Sequence, residues 1–181
     1  MHIQSDVCII GDGAIGKVAA LGFAQAGLKV TLLSPLSSSS NKAPQASAAA
    51  DWDVRVYAVN HVAHNLLSSV KVWEALDASR VQPVDSMVVN GDAAGELAFD
   101  AYGARVGTLA WIVEDRNLNQ ALDAALQFAS NVKIVHGRAI DLKIEDKAAS
   151  EQLENGDTVS AQMVIGADGG QSWVGSKCNI E

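Results

Sequence analysis

The amino-acid sequence predicts an α/β fold in which a right-handed βαβ unit leads a parallel sheet. Val7-Cys8-Ile9-Ile10 is a short continuous apolar run, as expected of a strand buried on both faces. Gly11-Asp12-Gly13-Ala14-Ile15-Gly16 comes next, and apolar residues then recur at helical spacing: Ile15, Val18, Ala19, Gly22, Phe23 and Ala26. Gly27 closes that helix, and Lys29-Val30-Thr31-Leu32-Leu33 supplies the second strand. The whole unit takes about 30 residues.

The remaining elements are taken in chain order. Residues 34–50 are rich in Ser, Ala, Asn and Pro with no periodicity, which predicts a long surface loop. Residues 54–59 predict a short strand, and Asn60 can cap a helix carrying Val62, Ala63, Leu66 and Leu67. A second helical piece is expected around Val72, Trp73 and Leu76. Residues 83–100 predict a hairpin turning at Asn90-Gly91, with Val84, Met87, Val88 and Val89 on one arm and Leu97 and Phe99 on the other. A strand over 108–113 leads into an amphipathic helix with Leu118, Ala121, Leu122, Ala125, Leu126 and Phe128. Strands are expected at 132–135 and 139–144. Asn155-Gly156 marks a turn and Met163-Val164-Ile165 the last strand, while the acids from Asp141 to Asp157 read as solvated loop charge.

Composition narrows the classes. The chain has 181 residues, 49% hydrophobic and 19% charged, ordinary for one globular core. A net charge of −8 repels phosphate backbones and argues against nucleic-acid partners. Cys8 reads as a small buried hydrophobe and Cys178 as part of a polar tail. Two isolated thiols make neither a disulfide framework nor a metal spacing, so a reducing cytoplasm is the expected compartment. No basic signal-peptide region precedes the first strand, and no apolar run is long enough to cross a bilayer. Peripheral association with an inner membrane stays open.

The chemistry-bearing motif is the G-x-G-x-x-G at Gly11, Gly13 and Gly16. Gly11 permits the tight turn, Gly13 lets backbone approach a pyrophosphate, and Gly16 allows close helix–strand packing. The helix start supplies partial positive charge. Its position between strand and helix favours a dinucleotide site over a glycine-rich packing turn. The acid expected at the tip of the second strand, for a ribose hydroxyl, is replaced by Ser34, which lacks charge-assisted strength. No Arg comes after it to take a 2′-phosphate. His61 and His64 are spaced as a metal pair could be, but without a matching carboxylate motif, packing or solvation is the better reading. The four tryptophans read as core or interface residues. Gly91-Asp92-Ala93-Ala94-Gly95 reads as turn chemistry.

Three further segments resemble one family. Asp53-Val54-Arg55, with Tyr57-Ala58-Val59 after it, looks like the D-x-R segment of FAD-dependent ubiquinone-biosynthesis (polyprenyl-phenol) hydroxylases. Trp111-Ile112-Val113-Glu114-Asp115-Arg116, with Leu118 and Ala121-Leu122, is similar to their I-V-E-N-x-x-L-x-x-A-L stretch, with Asp115 in place of Asn. Gly166-Ala167-Asp168-Gly169-Gly170-Gln171-Ser172 resembles the G-A-D-G-x-x-S of flavoprotein hydroxylases, though Gly175 stands where the family has Arg.

The resemblance implies a Rossmann-like, para-hydroxybenzoate-hydroxylase-like FAD-binding domain with a hairpin excursion, incomplete relative to the family. It implies that residues 1–181 are a partial FAD-binding domain and that 83–107 belong to the substrate-domain side. The C-terminal substrate-binding half would lie outside this chain. The implied cofactor is FAD, with NAD(P)H as co-substrate and oxidoreductase chemistry on an aromatic, ubiquinone-precursor-like ring. Gly11, Gly13, Ala14 and Gly16 would hold the pyrophosphate, and Ser34 would face the adenosine ribose. Arg55 would lie near flavin and pyrophosphate, where its planar donors suit phosphate. Ala139 would pass the adenine, and Asp168 and Gly169 would lie where FAD and NAD(P)H are handled. No side chain is named as a catalyst, and this chain alone is expected not to hydroxylate. The rival readings are an NAD(P)-dependent reductase, and a truncated homologue acting as a non-catalytic partner in a biosynthetic assembly.

Overall fold

The computed structural model describes residues 1–35, 52–92 and 95–180. In chain order the elements are β1 (His2–Ile10), α1 (Ala14–Gln25), β2 (Val30–Ser34), β3 (Val56–Val59), α2 (His61–Ser69), β4 (Val81–Val84), β5 (Ser86–Asn90), β6 (Glu96–Asp100), β7 (Ala110–Glu114), α3 (Asp115–Phe128), β8 (Val132–His136), β9 (Ala139–Ile144), β10 (Ala149–Leu153), β11 (Thr158–Gly166) and α4 (Trp173–Lys177). The long loop expected after Ser34 falls, from residue 36 to 51, outside the described residues. The chain divides into two compact units, Met1–Ala49 with Leu122–Glu181, and Ala50–Ala121.

The first unit is built on a six-stranded sheet of order β8-β2-β1-β11-β10-β9. β8, β2, β1 and β11 run parallel. β10 and β9 return antiparallel. The sheet therefore has the parallel part the sequence predicts, with β1 and β2 at its centre, and an antiparallel extension. β1 is interior, which is why Val7, Cys8 and Ile9 form an unbroken apolar run: both faces are covered, and none is more than 2% exposed. Gly27 takes φ +85° just after α1, the left-handed turn that ends a helix without a Cβ clash.

β9 is the strand expected at 139–144. One expectation fails here: Glu151, among the acids from Asp141 to Asp157, is not solvated loop charge, because β10 places Ala149, Glu151 and Leu153 in the interior. A glutamate at the centre of the strand breaks the apolar alternation that would mark it in the sequence. Cys178 is corrected too. It is partly buried and packs against the cluster of Ile3, Cys8, Leu33, Leu153, Val159 and Val174.

The second unit holds a three-stranded antiparallel sheet of order β3-β7-β4 and a separate β5-β6 pair. Pro83 and Val84 belong to β4 and pair with Trp111 and Ala110 of β7, so the hairpin proper is β5–β6. Proline at 83 suits an edge strand, since it has no N–H to donate outward. Both hairpin strands are exposed along their whole length. Ala93 and Ala94 of the turn lie outside the described residues. Asn60 caps α2, its Oδ1 accepting from the Ala63 N–H at 2.9 Å. The second helical piece is a single 3₁₀ turn, Trp73–Ala75.

The two histidines are packing residues. The His64 ring stacks on Trp111 with centroids 4.5 Å apart and meets Trp73 edge-on at 4.3 Å. His61 Nε2 lies 2.7 Å from the Thr108 carbonyl oxygen. Among the described residues no helix is long and apolar enough to cross a membrane.

Candidate functional site

Because β8, β2, β1 and β11 are parallel, their C-terminal ends emerge on one side of the sheet, where ligands of open α/β sheets bind. An open cleft of about 420 Å³ lies there in the first unit. Its lining runs from Ile10 to Gly13, through Leu33, Pro35 and Gly137 to Ala139, to Ala167, Asp168, Gly169, Gln171 and Trp173.

The three motif glycines have different physical reasons. Gly11 sits at φ +113°, and a Cβ there would come 2.3 Å from the Ala167 carbonyl oxygen. A Cβ on Gly16 would come 1.9 Å from the Gly11 carbonyl oxygen. Both positions are locked by backbone. Gly13 has nothing within 4 Å of its missing Cβ, so the fold itself does not demand glycine there. Gly13 lines the cleft, so its open side faces that space. Gly13 is also the N-cap of α1, and no side chain caps that helix, which leaves the N–H groups of the first turn, beginning at Ala14, for another acceptor.

Two motifs far apart in sequence meet here. The Ala167 N–H donates to the Ile10 carbonyl at 2.7 Å, seating the G-A-D-G segment beside the glycine turn. Gly166 is required because a Cβ would come 2.9 Å from that of Val174. Asp168 fastens the start of α4 to this segment. Its Oδ1 accepts from the Ser172 hydroxyl at 2.6 Å, and Oδ2 accepts from the N–H groups of Trp173 and Val174 at 2.6 and 3.1 Å. Burial works against its charge, but these donors outweigh it and hold the carboxyl below its ordinary range. Gly169, at φ +92°, turns the chain along the cleft. Gly175, where the resemblance expects Arg, lies in α4, and a Cβ there would come 3.3 Å from the Ile180 carbonyl oxygen.

The structure therefore brings Gly11, Gly13, Ala139, Asp168 and Gly169 together on one cleft. Ala14 and Gly16 stand directly behind them in α1. Ser34 is 7% exposed at the tip of β2, and its Oγ donates to Asp12 Oδ2 at 2.5 Å. Arg55 belongs to the second unit. There it lines a shallow depression with Asp53, Val54, Val56 and Asp115. Asp53 ties two motifs of that unit together: its carboxylate accepts from the Arg55 N–H at 3.2 Å and the Arg116 N–H at 2.9 Å. Those two backbone bonds, Arg55's first, outweigh desolvation and hold the Asp53 carboxyl below its ordinary value.

Sequence reasoning misses Asp12 and Arg138. Asp12 occupies a variable position of the glycine motif, and only the fold aims it at Ser34. Arg138 lines the cleft beside Ala139 and is legible in the sequence only as the residue preceding a strand.

Known proteins resemble this chain over nearly its whole length. The chain is 32% identical over 179 residues to the 3-demethoxyubiquinol 3-hydroxylase of Escherichia coli (strain K12), covering 97% of this chain and 44% of that protein. It is 29% identical over 177 residues to the ubiquinone hydroxylase UbiL of Rhodospirillum rubrum, covering 97% of this chain and 40% of the relative. The chain thus spans less than half the length of these relatives. Among solved structures, the flavin-dependent monooxygenase PieE, determined with FAD and substrate, superposes with a TM-score of 0.71 at 19% identity, over 98% of this chain and 32% of that one. That likeness is one of fold. A family model described as FAD binding domain matches residues 4–181, nearly the whole chain. With the glycine turn, the G-A-D-G segment and the cleft they line in place, the chain belongs to the FAD binding domain family.

Proposed function

We propose that this chain holds the adenosine and pyrophosphate end of FAD for a flavoprotein monooxygenase acting on an aromatic, ubiquinone-precursor-like substrate, with NAD(P)H and O₂ as co-substrates. The observation that carries the reading is the contrast at the glycine turn. Two glycines are demanded by the fold, and the third is left open at the uncapped start of α1.

The residues fit the cofactor. Gly13 and the first-turn N–H groups at Ala14 offer a pyrophosphate both close approach and hydrogen-bond donors. Gly137 and Ala139 present backbone where an adenine can lie, and Arg138 adds a cation to the same wall. Asp168 and Gly169 shape the side of the cleft formed by β11, and Asp168 acts through the loop it fastens. Arg55 carries the same proposal through the D-x-R resemblance, its guanidinium being suited to phosphate. When bound, FAD supplies the redox chemistry, while the protein positions it and excludes water. Residues 83–107, which include the exposed β5–β6 hairpin, are proposed to belong to the substrate-domain side. Peripheral attachment to a membrane belongs to this same reading.

The test is a pair of substitutions with FAD titration of each protein. Gly13→Ala should leave the thermal midpoint unchanged and weaken FAD binding by at least several-fold, on the order of 1 kcal/mol or more. Gly16→Ala should lower the midpoint, because the new methyl meets backbone. Unchanged FAD affinity in a folded Gly13→Ala protein would refute the pyrophosphate site. Retained yellow flavin also separates this reading from the NAD(P)-dependent reductase.

A further inference from the structure

The second strand of this fold ordinarily ends in an acid that bonds the adenosine ribose, and here it ends in Ser34. The structure brings a carboxylate to that place by another route. Asp12, between the first two motif glycines, lines the cleft, and its Oδ2 accepts the Ser34 hydroxyl at 2.5 Å. Ser34 is fixed in turn, because it is buried and its carbonyl accepts the Gly137 N–H at 3.0 Å. The hydroxyl has a single proton, and Asp12 takes it, so Ser34 cannot also donate to a ligand. The carboxylate keeps Oδ1 and its remaining lone pairs.

We propose that Asp12, aimed by Ser34, is the ribose-recognising acid of this site, moved from the strand tip to the glycine turn. Asp12 would accept the 2′-hydroxyl of the adenosine ribose in a charge-assisted hydrogen bond, and Ser34 is the positioning residue. This rests on the reading of the cleft as an FAD site. A carboxylate in a pyrophosphate loop could instead repel phosphate. The Ser34 bond opposes that outcome by holding one carboxylate oxygen at the tip of β2. The same arrangement disfavours a 2′-phosphorylated ribose, whose charge would meet Asp12 directly.

The experiment titrates the chain with FAD, ADP and 2′-deoxy-ADP, then repeats the series with Asp12→Asn. The deoxy ligand removes the hydroxyl without touching the fold, so the wild-type protein alone gives one leg of the cycle. Wild type should bind ADP roughly tenfold tighter than 2′-deoxy-ADP, the size of a charge-assisted bond. Asp12→Asn should bind the two within about threefold of each other and lose about tenfold in FAD affinity. Asp12→Ala combined with Ser34→Glu, which returns the acid to the strand tip, should restore the preference for ADP. Equal wild-type affinities for ADP and 2′-deoxy-ADP, or an Asp12→Asn protein that binds FAD as tightly as wild type, would overturn the assignment while the FAD site stands. A wild-type chain that binds neither FAD nor ADP would overturn the FAD reading and this assignment with it.

Discussion

Each unit buries a glutamate, and the two are treated in opposite ways. In the second unit Glu114 is 4% exposed and Arg80 answers it, Nε to Oε2 at 3.1 Å, with the guanidinium also lying 4.6 Å from the Trp52 ring centroid. In the first unit Glu151 is fully buried and neither of its oxygens has a hydrogen-bond partner. The Cys8 thiol interacts with it but completes no hydrogen bond, and burial first, then the Glu151 charge, push that thiol well above its ordinary range. Burial likewise pushes Glu151 up to about 7. One unit thus pairs one oxygen of its buried carboxylate with a cation, and in the other burial favours the protonated form. A buried charge in either region is tolerable only through one of these two routes.

Breaking the pair tests the first half of that contrast and should give the largest effect. Arg80→Met leaves Glu114 buried without its cation and should cost about 3–5 kcal/mol. Urea unfolding at pH 7 measures it. A loss under about 1 kcal/mol would mean that water reaches Glu114 and the pair is a surface one.

Removing the acid from the first unit tests the other half, with opposite sign. The folded-state value of Glu151 is raised from 4.5 to about 7. Its contribution to stability is therefore fully present below pH 4.5 and is lost as pH rises to about 7. Glu151→Met, which keeps volume and removes the ionisable group, should gain up to about 3 kcal/mol at pH 8. The difference between variant and wild type should grow between pH 4.5 and about 7 and stay level above. A difference that does not change with pH would show that Glu151 is solvated in the folded protein.

Asp168 stands between the two cases and should show the smallest effect. It is partly exposed, and three donors satisfy it. Asp168→Asn should cost about 1–2 kcal/mol, with more of the loss above the ordinary carboxylate range than below it. That sign comes from its lowered folded-state value: its stabilisation is present at neutral pH and disappears as pH falls. If FAD affinity drops far more than this destabilisation explains, Asp168 touches the cofactor as well as the loop.

Much of the site is legible in the sequence. The run Val7 to Ile10, the three glycines and the helical spacing to Ala26 each obey local rules of burial, turn geometry and period, so the βαβ unit can be read directly. The G-A-D-G segment can be read as a motif but not as a neighbour of the glycine turn, because contact between residues 11 and 167 is a property of strand order. β10 is illegible, since Glu151 contradicts the pattern a buried strand should show. Pro83 reads as part of the hairpin, although it pairs with Trp111, because a strand's periodicity does not name the strand it pairs with.

The amino-acid sequence by itself determined the family, the glycine turn and the type of ligand to test, because those depend on residues close together in the chain. Only the tertiary structure decided which carboxylates line the cleft, which are paired and which are buried without a hydrogen-bond partner. Asp12 is a variable position until β2 brings Ser34 within 2.5 Å of it. Glu151 is an ordinary surface acid until β10 turns it into the core. The charge state of a carboxylate depends on solvent and partners brought from elsewhere in the chain, and those are fixed by folding.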